Sequence, residues 1–272
     1  MTDAFRSHEE CKEPRVVLIE GQPGIGKTTC CQKLAYDWSV ECISAEACFP
    51  KVKMLLLLKC RDMKTADIKE AIDDQLLPLD AEEKEKENFF RFIRQNQSRI
   101  LLVLDGLDEL NETVYEGLLP LIQGRIFPCT YLMLTARHEL GMKVRRECDT
   151  LLEIVGYTEE DADTYIKKYF SNHDDPSLAK KLIKNLRKNP QLRELTANPL
   201  NTALLCLICE DAQGKLPYNK TMLYCEIVSC ALIRNFRKKG IPLVNADPIE
   251  VCSEQLNQLG ELADRKSTRL NS

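Results

Sequence analysis

The sequence predicts an α/β fold built on a five-stranded, mostly parallel sheet, followed by an all-α unit. Three observations predict it. Apolar runs of strand length recur at residues 15–20, 52–58, 99–105, 128–135 and 151–155, and such runs suit strands covered on both faces. Helical or loop segments separate them, as right-handed crossovers between parallel strands require. Beyond Gly156 no further strand is evident, and helical patterns run toward the end of the chain.

The first strand, 15–20 (Arg-Val-Val-Leu-Ile-Glu), runs into Gly21-Gln22-Pro23-Gly24-Ile25-Gly26-Lys27-Thr28. This stretch has the form G-x-x-x-x-G-K-[ST], a phosphate-binding loop. Gly21, Gly24 and Gly26 are expected in backbone conformations that a Cβ would forbid, so that successive N–H groups turn inward as an anion nest. Cys31, Leu34, Ala35 and Trp38 fall at i, i+3, i+4 and i+7, which predicts a helix directly after the loop. Its first-turn N–H groups and positive dipole end add to the same site. Lys27 is placed to reach the β- and γ-phosphates, and the Thr28 hydroxyl to ligate Mg²⁺.

The second strand, 52–58, ends in Lys59-Cys60-Arg61-Asp62; helical patterns follow at 65–77 and 81–96, the latter a Glu/Lys-rich surface helix. The third, 99–105, ends in Asp105-Gly106-Leu107-Asp108-Glu109. An acid at a strand tip is where a phosphate-loop protein holds Mg²⁺, which assigns the metal to Thr28 and Asp105. Glu109 or Asp108, one short turn further on, is placed to orient or deprotonate an attacking water. The fourth strand closes in Thr135-Ala136-Arg137. Arg137 offers a fork of donors that reads a γ-phosphate and so separates triphosphate from diphosphate, whereas His138 beside it reads as incidental. Ligands in open α/β sheets lie beyond the carboxyl ends of the strands, so these scattered residues are expected to converge.

The domain reading divides the chain into an N-terminal tail (1–14), a nucleotide-binding unit (15–156), a helical unit (157–213) and a further helical stretch (214–264). Thr158 and Asp161 form a capping-box start. Helices are predicted at 161–170, 177–188, 191–196, 199–209, 220–238 and from 249 to 263, with Pro190 and Pro199 as punctuation. Loops are predicted at 214–219 and 240–248. Residues 265–272 depart from the preceding pattern and read as a non-native tail, which would make the chain a piece of a longer protein.

Composition narrows the partners. The 272 residues are 44% hydrophobic and 29% charged, ordinary for a globular chain, and that length suits two compact units. A net charge of -4, from 38 basic and 42 acidic side chains, offers no basic excess for nucleic acid. Cysteine count is 13, yet Cys30 and Cys31 are adjacent and Cys206, Cys209, Cys225 and Cys230 lie in apolar helical runs. That pattern suits reduced thiols in a cytoplasmic protein, packed as small apolar residues. Cys206 and Cys209 form the only C-x-x-C, inside an apolar helix without a second pair, so core packing is expected rather than zinc. Residues 1–14 lack the apolar centre of a signal peptide, and no apolar run is long enough to span a bilayer.

Taken together, residues 21–29 (through Thr29), 55–62, 102–110, Thr135-Ala136-Arg137 and Asn198-Pro199-Leu200 resemble the NACHT family, the nucleotide-binding modules of NOD-like receptors and related STAND ATPases. The resemblance extends over most of the chain from residue 15 to about Cys209, and the acids after the Walker B strand are its most discriminating part. It implies ATP or ADP with Mg²⁺ at the Walker A loop and an adenine contact from Pro199 in the first helical domain. It also implies a winged-helix domain, of which 214–264 would be the start. The family's winged-helix histidine has no counterpart, since the three histidines are His8, His138 and His173. Self-association in the ATP-bound form and a role in innate-immune signalling are implied likewise, with effector and sensor domains outside this chain.

Two functions follow from these readings. One is a nucleotide-dependent switch with weak ATPase activity; the other is a motor-type, AAA+-like ATPase. A motor on nucleic acid would want a basic track, a kinase an arginine-bearing lid, and a GTPase an N-K-x-D motif. Asn219-Lys220-Thr221-Met222 lacks that Asp. The switch is the expected reading.

Overall fold

Five strands form where the apolar runs predict them: β1 (Val16–Glu20), β2 (Met54–Lys59), β3 (Ile100–Asp105), β4 (Tyr131–Ala136) and β5 (Thr150–Glu153). In the computed structural model they make one sheet in the order β2-β3-β4-β1-β5, and every ladder is parallel. Residues 3–43, 48–240 and 247–270 are described. The chain divides into two compact units, Met1–Gly156 and Tyr157–Ser272.

Alternation along the strands builds two cores in the first unit. Leu18, Leu58, Leu102, Leu104 and Leu134 face one side, where α2 (Ile68–Leu76), α3 (Glu83–Gln95) and α4 (Glu112–Ile122) cover them. Val17, Ile19, Leu101, Val103 and Met133 face the other, against Cys31 and Leu34 of α1 (Lys27–Ser39). Ala4 and Phe5 are buried in this second core, with Phe5 edge-on to Tyr131 at 5.4 Å. Two apolar side chains in a polar stretch set no periodicity, so the segment reads as a tail while part of it packs.

Helix α4 carries turn-like signals in its sequence. Pro120 sits inside it and Gly117 precedes it by three. A Cβ on Gly117 would lie 2.4 Å from Ala66 Cβ, so close approach of the backbone to its neighbour explains the glycine. Asn111 caps the helix by accepting the Val114 N–H at 2.9 Å. Val114, Leu118, Leu121 and Ile122 then supply a buried helical face. Helix α5 (His138–Val144) follows β4 and is succeeded by a short 3-10 turn, Arg145–Glu147.

The second unit is helical: α6 (Glu159–Tyr169), α7 (Ser177–Lys188), α8 (Pro190–Leu195), α9 (Pro199–Asp211), α10 (Lys220–Lys238), α11 (Pro248–Val251) and α12 (Ser253–Leu270). Thr158 and Asp161 cap α6 reciprocally, side chain to backbone in each direction. Ile166, Phe170, Leu182, Leu205, Cys206 and Cys209 pack in one core, so the C-x-x-C cysteines serve as apolar filling. All thirteen cysteines are free. Of the loop predicted at 240–248, residues 241–246 lie outside the described residues. The segment read as a non-native tail continues the α12 backbone to Leu270, and 271–272 lie outside the described residues.

One buried ion pair ties three of these helices. Asp163 of α6 accepts from Arg193 Nη1 of α8 at 2.7 Å and from Arg187 Nη2 of α7 at 3.0 Å, and both Asp163 and Arg193 are buried. Burial by itself raises the Asp163 carboxyl, but the two guanidiniums outweigh it and hold it below its ordinary value. A carboxyl depressed in the folded state contributes stability above its unfolded pKa of about 4 and loses that contribution as pH falls through the lower folded value. Stability of this unit is therefore expected to decline on acidification below about pH 4, with a shallower decline in Asp163→Asn. Helical circular dichroism during urea unfolding at stepped pH measures it; parallel declines in parent and variant would count against the pair.

Candidate functional site

The carboxyl ends of β3, β4 and β1 bring together most of the residues singled out in the sequence. Gly24 and Gly26 take left-handed conformations, with φ of 74° and 105°, as their places in the loop require. Gly21 corrects the expectation. Its φ is not left-handed; it is glycine for room, because a Cβ would stand 2.8 Å from Ile25 Cγ2 and 3.4 Å from the Ile154 carbonyl oxygen. Gly26 is the N-cap of α1 and brings no side-chain cap, and no acid occupies the first turn. The first-turn N–H groups of Lys27, Thr28 and Thr29 therefore face the loop with the helix's positive end behind them.

Lys27 turns back over the loop and donates from Nζ to the carbonyl oxygens of Gly21 at 2.6 Å and Gln22 at 3.2 Å. Burial lowers its pKa from the ordinary lysine value; Asp108 acts against that, Arg137 adds to it, and Asp105 and Glu109 favour the charge. All four groups thus act on one ammonium, although they come from two other strand ends.

Asp105 is buried at the tip of β3, and its Oδ1 accepts the Thr135 hydroxyl at 2.8 Å. The same Thr135 oxygen accepts the Gly106 N–H at 2.8 Å, so β4 fixes both the acid and the turn after it. Gly106 is left-handed, φ 84°, which swings the chain into the 3-10 turn Leu107–Glu109. Burial pushes the Cys31 and Cys60 thiols well up, and the Asp105 carboxylate pushes both further, so two neutral thiols flank this acid.

Asp108 and Arg137 are joined twice. The Arg137 N–H donates to Asp108 Oδ1 at 3.0 Å, and its Nε lies 2.8 Å from Oδ2. Glu109 is exposed, and among the described residues its carboxylate makes no hydrogen bond or ion pair. Pro199 belongs to the second unit. It is the first residue of α9, after Asn198, whose side chain accepts the Leu200 N–H at 3.0 Å.

The residues present suit a phosphate and a hard cation. The loop supplies inward N–H groups and an ammonium, and Thr28 and Asp105 supply oxygen donors of the kind Mg²⁺ takes. Among the described residues no group of three His, Cys, Asp or Glu side chains could hold a metal ion.

Sequence reading missed a second cluster beside the loop. Glu20, the residue before Gly21, is 5% exposed. Its Oε1 accepts from Arg145 Nε at 2.8 Å and its Oε2 from Arg145 Nη2 at 2.5 Å, while His138 Nδ1 stands 3.1 Å from Oε2. His138 is therefore a partner rather than incidental. The available signal was an acid ending a strand that is otherwise buried.

The profile of the NACHT domain matches residues 15–173. Protein NLRC5 of Mus musculus is 26% identical over 215 residues, covering 75% of this chain and 10% of that protein. Baculoviral IAP repeat-containing protein 1 of Homo sapiens is 29% identical over 192 residues, covering 70% and 13% respectively. Among solved structures, the Thermotoga maritima RuvB Holliday junction branch migration motor superposes with a TM-score of 0.43 at 16% identity, over 79% of this chain and 61% of that one. The chain spans only 10–25% of the length of the curated relatives compared. No helix among the described residues is long and apolar enough to cross a membrane. With 15–173 of its 272 residues matched by the profile, the chain belongs to the NACHT domain family.

Proposed function

We propose that this chain is a nucleotide-dependent oligomerisation switch of an innate-immune type of signalling protein, binding ATP or ADP with Mg²⁺ and hydrolysing ATP slowly. Nucleotide binding, normally with Mg²⁺, is what membership of the family implies. The observation that carries the finer reading is geometric: the tip of β3 and the end of β4 are tied together at the carboxyl end of the sheet, Asp105 by Thr135 and Asp108 by Arg137. In this reading residues 21–29 cradle the phosphates, and Lys27 leaves its two loop carbonyls for the β- and γ-oxygens. Thr28 and Asp105 hold Mg²⁺, Glu109 or Asp108 activates water, and Arg137 senses the γ-phosphate. Pro199 carries the contact to adenine, and the cytoplasm is the proposed location.

A decisive switch needs its two ligands to differ by roughly 5 kcal/mol in their preference between the two states. Contacts to a charged group contribute roughly 1.5–3 kcal/mol each when buried, so two contacts from Arg137 are of the right order. Turnover is slow in this scheme because it runs without an arginine supplied by a partner. Phosphate-loop proteins without a supplied arginine hydrolyse as slowly as about 10⁻⁴ per second.

Calorimetric titration with ATP and ADP, each with and without Mg²⁺, tests the site, and light scattering after gel filtration tests the switch. Both nucleotides are expected to bind, ATP with the stronger Mg²⁺ dependence, and the ATP-loaded chain to have the larger mass. Unaided turnover of many per second would replace the switch by a working ATPase.

A further inference from the structure

We propose that Glu20 is a positioning residue that sets the preference for triphosphate over diphosphate, by clamping the segment headed by Arg137 to the strand that carries the phosphate loop. The inference rests on the reading above, in which the loop holds phosphate and Arg137 senses the terminal one.

Period-2 alternation puts Glu20 on the same face as Leu18, where the surroundings are apolar. A carboxylate there is costly unless it is paired. Its partners all come from one short segment: Arg145 by a two-pronged contact and His138 by a single one. Arg145 holds the Glu20 carboxyl below its ordinary range, so the clamp stays ionised at neutral pH.

Helix α5 crosses directly over this carboxylate. A Cβ on Gly141 would stand 2.0 Å from Glu20 Oε1, so a side chain here would push the carboxylate from its present place. A glycine inside a helix costs stability against alanine; here it leaves room for the carboxylate beneath the helix.

The segment is thus pinned at two places. At its start Arg137, the N-cap of α5, is bound through backbone and side chain to Asp108. At its end Arg145 is bound to Glu20, which is registered against Ala136, the residue before Arg137. Filling the site with apolar side chains would serve mere packing as well or better. A two-pronged guanidinium–carboxylate contact adds direction. That direction fixes where the guanidinium of Arg137 stands relative to the loop that begins one residue after Glu20.

The test is the ratio of ADP to ATP dissociation constants, measured by calorimetry on the whole chain. Glu20→Gln, which keeps the shape and loses the charge, is expected to lower that ratio about tenfold, the order of one charge-assisted hydrogen bond. Arg137→Ala should lower it by about a hundredfold or more, the order of two such bonds, and the double variant no further than Arg137→Ala, because both act through Arg137. Arg145→Lys, at a half-exposed side chain, keeps the charge without the fork; it is expected to lower the ratio with an unchanged circular dichroism spectrum. This second variant decides the matter if Glu20→Gln does not fold. Equal weakening of both nucleotides in either variant, or additive effects in the double variant, would overturn the proposal. A parent chain that binds neither nucleotide would overturn the phosphate site itself, a failure distinct from an unmoved ratio in a chain that binds both.

Discussion

Lys27→Ala is expected to weaken ATP by at least about a hundredfold and ADP by at least about tenfold, because it removes two charge-assisted contacts from the first and one from the second, at roughly 1.5–3 kcal/mol each. The ammonium already sits where the loop needs a cation, since it draws together the Gly21 and Gln22 carbonyls at 2.6 and 3.2 Å. Phosphate oxygens are stronger acceptors than these carbonyls, so the same side chain exchanges one set for the other with a change of rotamer. Loss of the loop contacts should cost the free protein little, as substitutions away from a packed core usually do. The two effects separate in a thermal scan. ATP at a hundred times the parent Kd should stabilise the parent by about 2.7 kcal/mol and leave the variant near its unliganded midpoint. Unchanged affinity in the variant would remove the phosphate from this loop.

What could be read from the sequence was what neighbours in sequence determine. Residues 21–28 carry their chemistry within one turn of chain, and the five strands are apolar enough to be recognised singly. Their parallel arrangement followed from the helical or loop segments between them, while their order in the sheet came only with the structure. Contacts between distant residues were not legible. Glu20 and Arg145 are 125 positions apart, and neither forms a pattern with its own neighbours. Asp163 and Arg193 are 30 positions apart on two helices, and their pairing depends on how those helices pack. Helix α4 was hidden for a different reason: Gly117 and Pro120 are loop signals locally, and only the approach of Ala66 explains the first of them. Gly21 shows the same limit in reverse. Its place in the motif was plain, but its cause is the space taken by Ile25 rather than a left-handed backbone.

Glu109→Gln is expected to slow ATP hydrolysis by about 10²–10⁴, the range for losing a general base, while leaving ATP affinity within a few-fold of the parent. Two carboxylates follow the tip of β3, and the sequence alone left the base as Glu109 or Asp108. Asp108 is committed: it accepts the Arg137 N–H and pairs with the Arg137 Nε, so proton uptake there would break an ion pair. Asp105 is held by the Thr135 hydroxyl at the strand tip, where it suits a cation. Glu109 is exposed and shares none of these bonds, and the left-handed Gly106 turns it out from the strand end. The amide keeps its size and removes its basicity, so a loss of rate with retained binding isolates the chemical step. Asp108→Asn should instead release Arg137 and lower the ADP-to-ATP ratio of dissociation constants, with a smaller loss of hydrolysis. Single-turnover phosphate release with nucleotide-saturated protein distinguishes the two. Parent-like hydrolysis in Glu109→Gln together with abolition in Asp108→Asn would transfer the base to Asp108, and parent-like hydrolysis in both would leave water activation to neither acid.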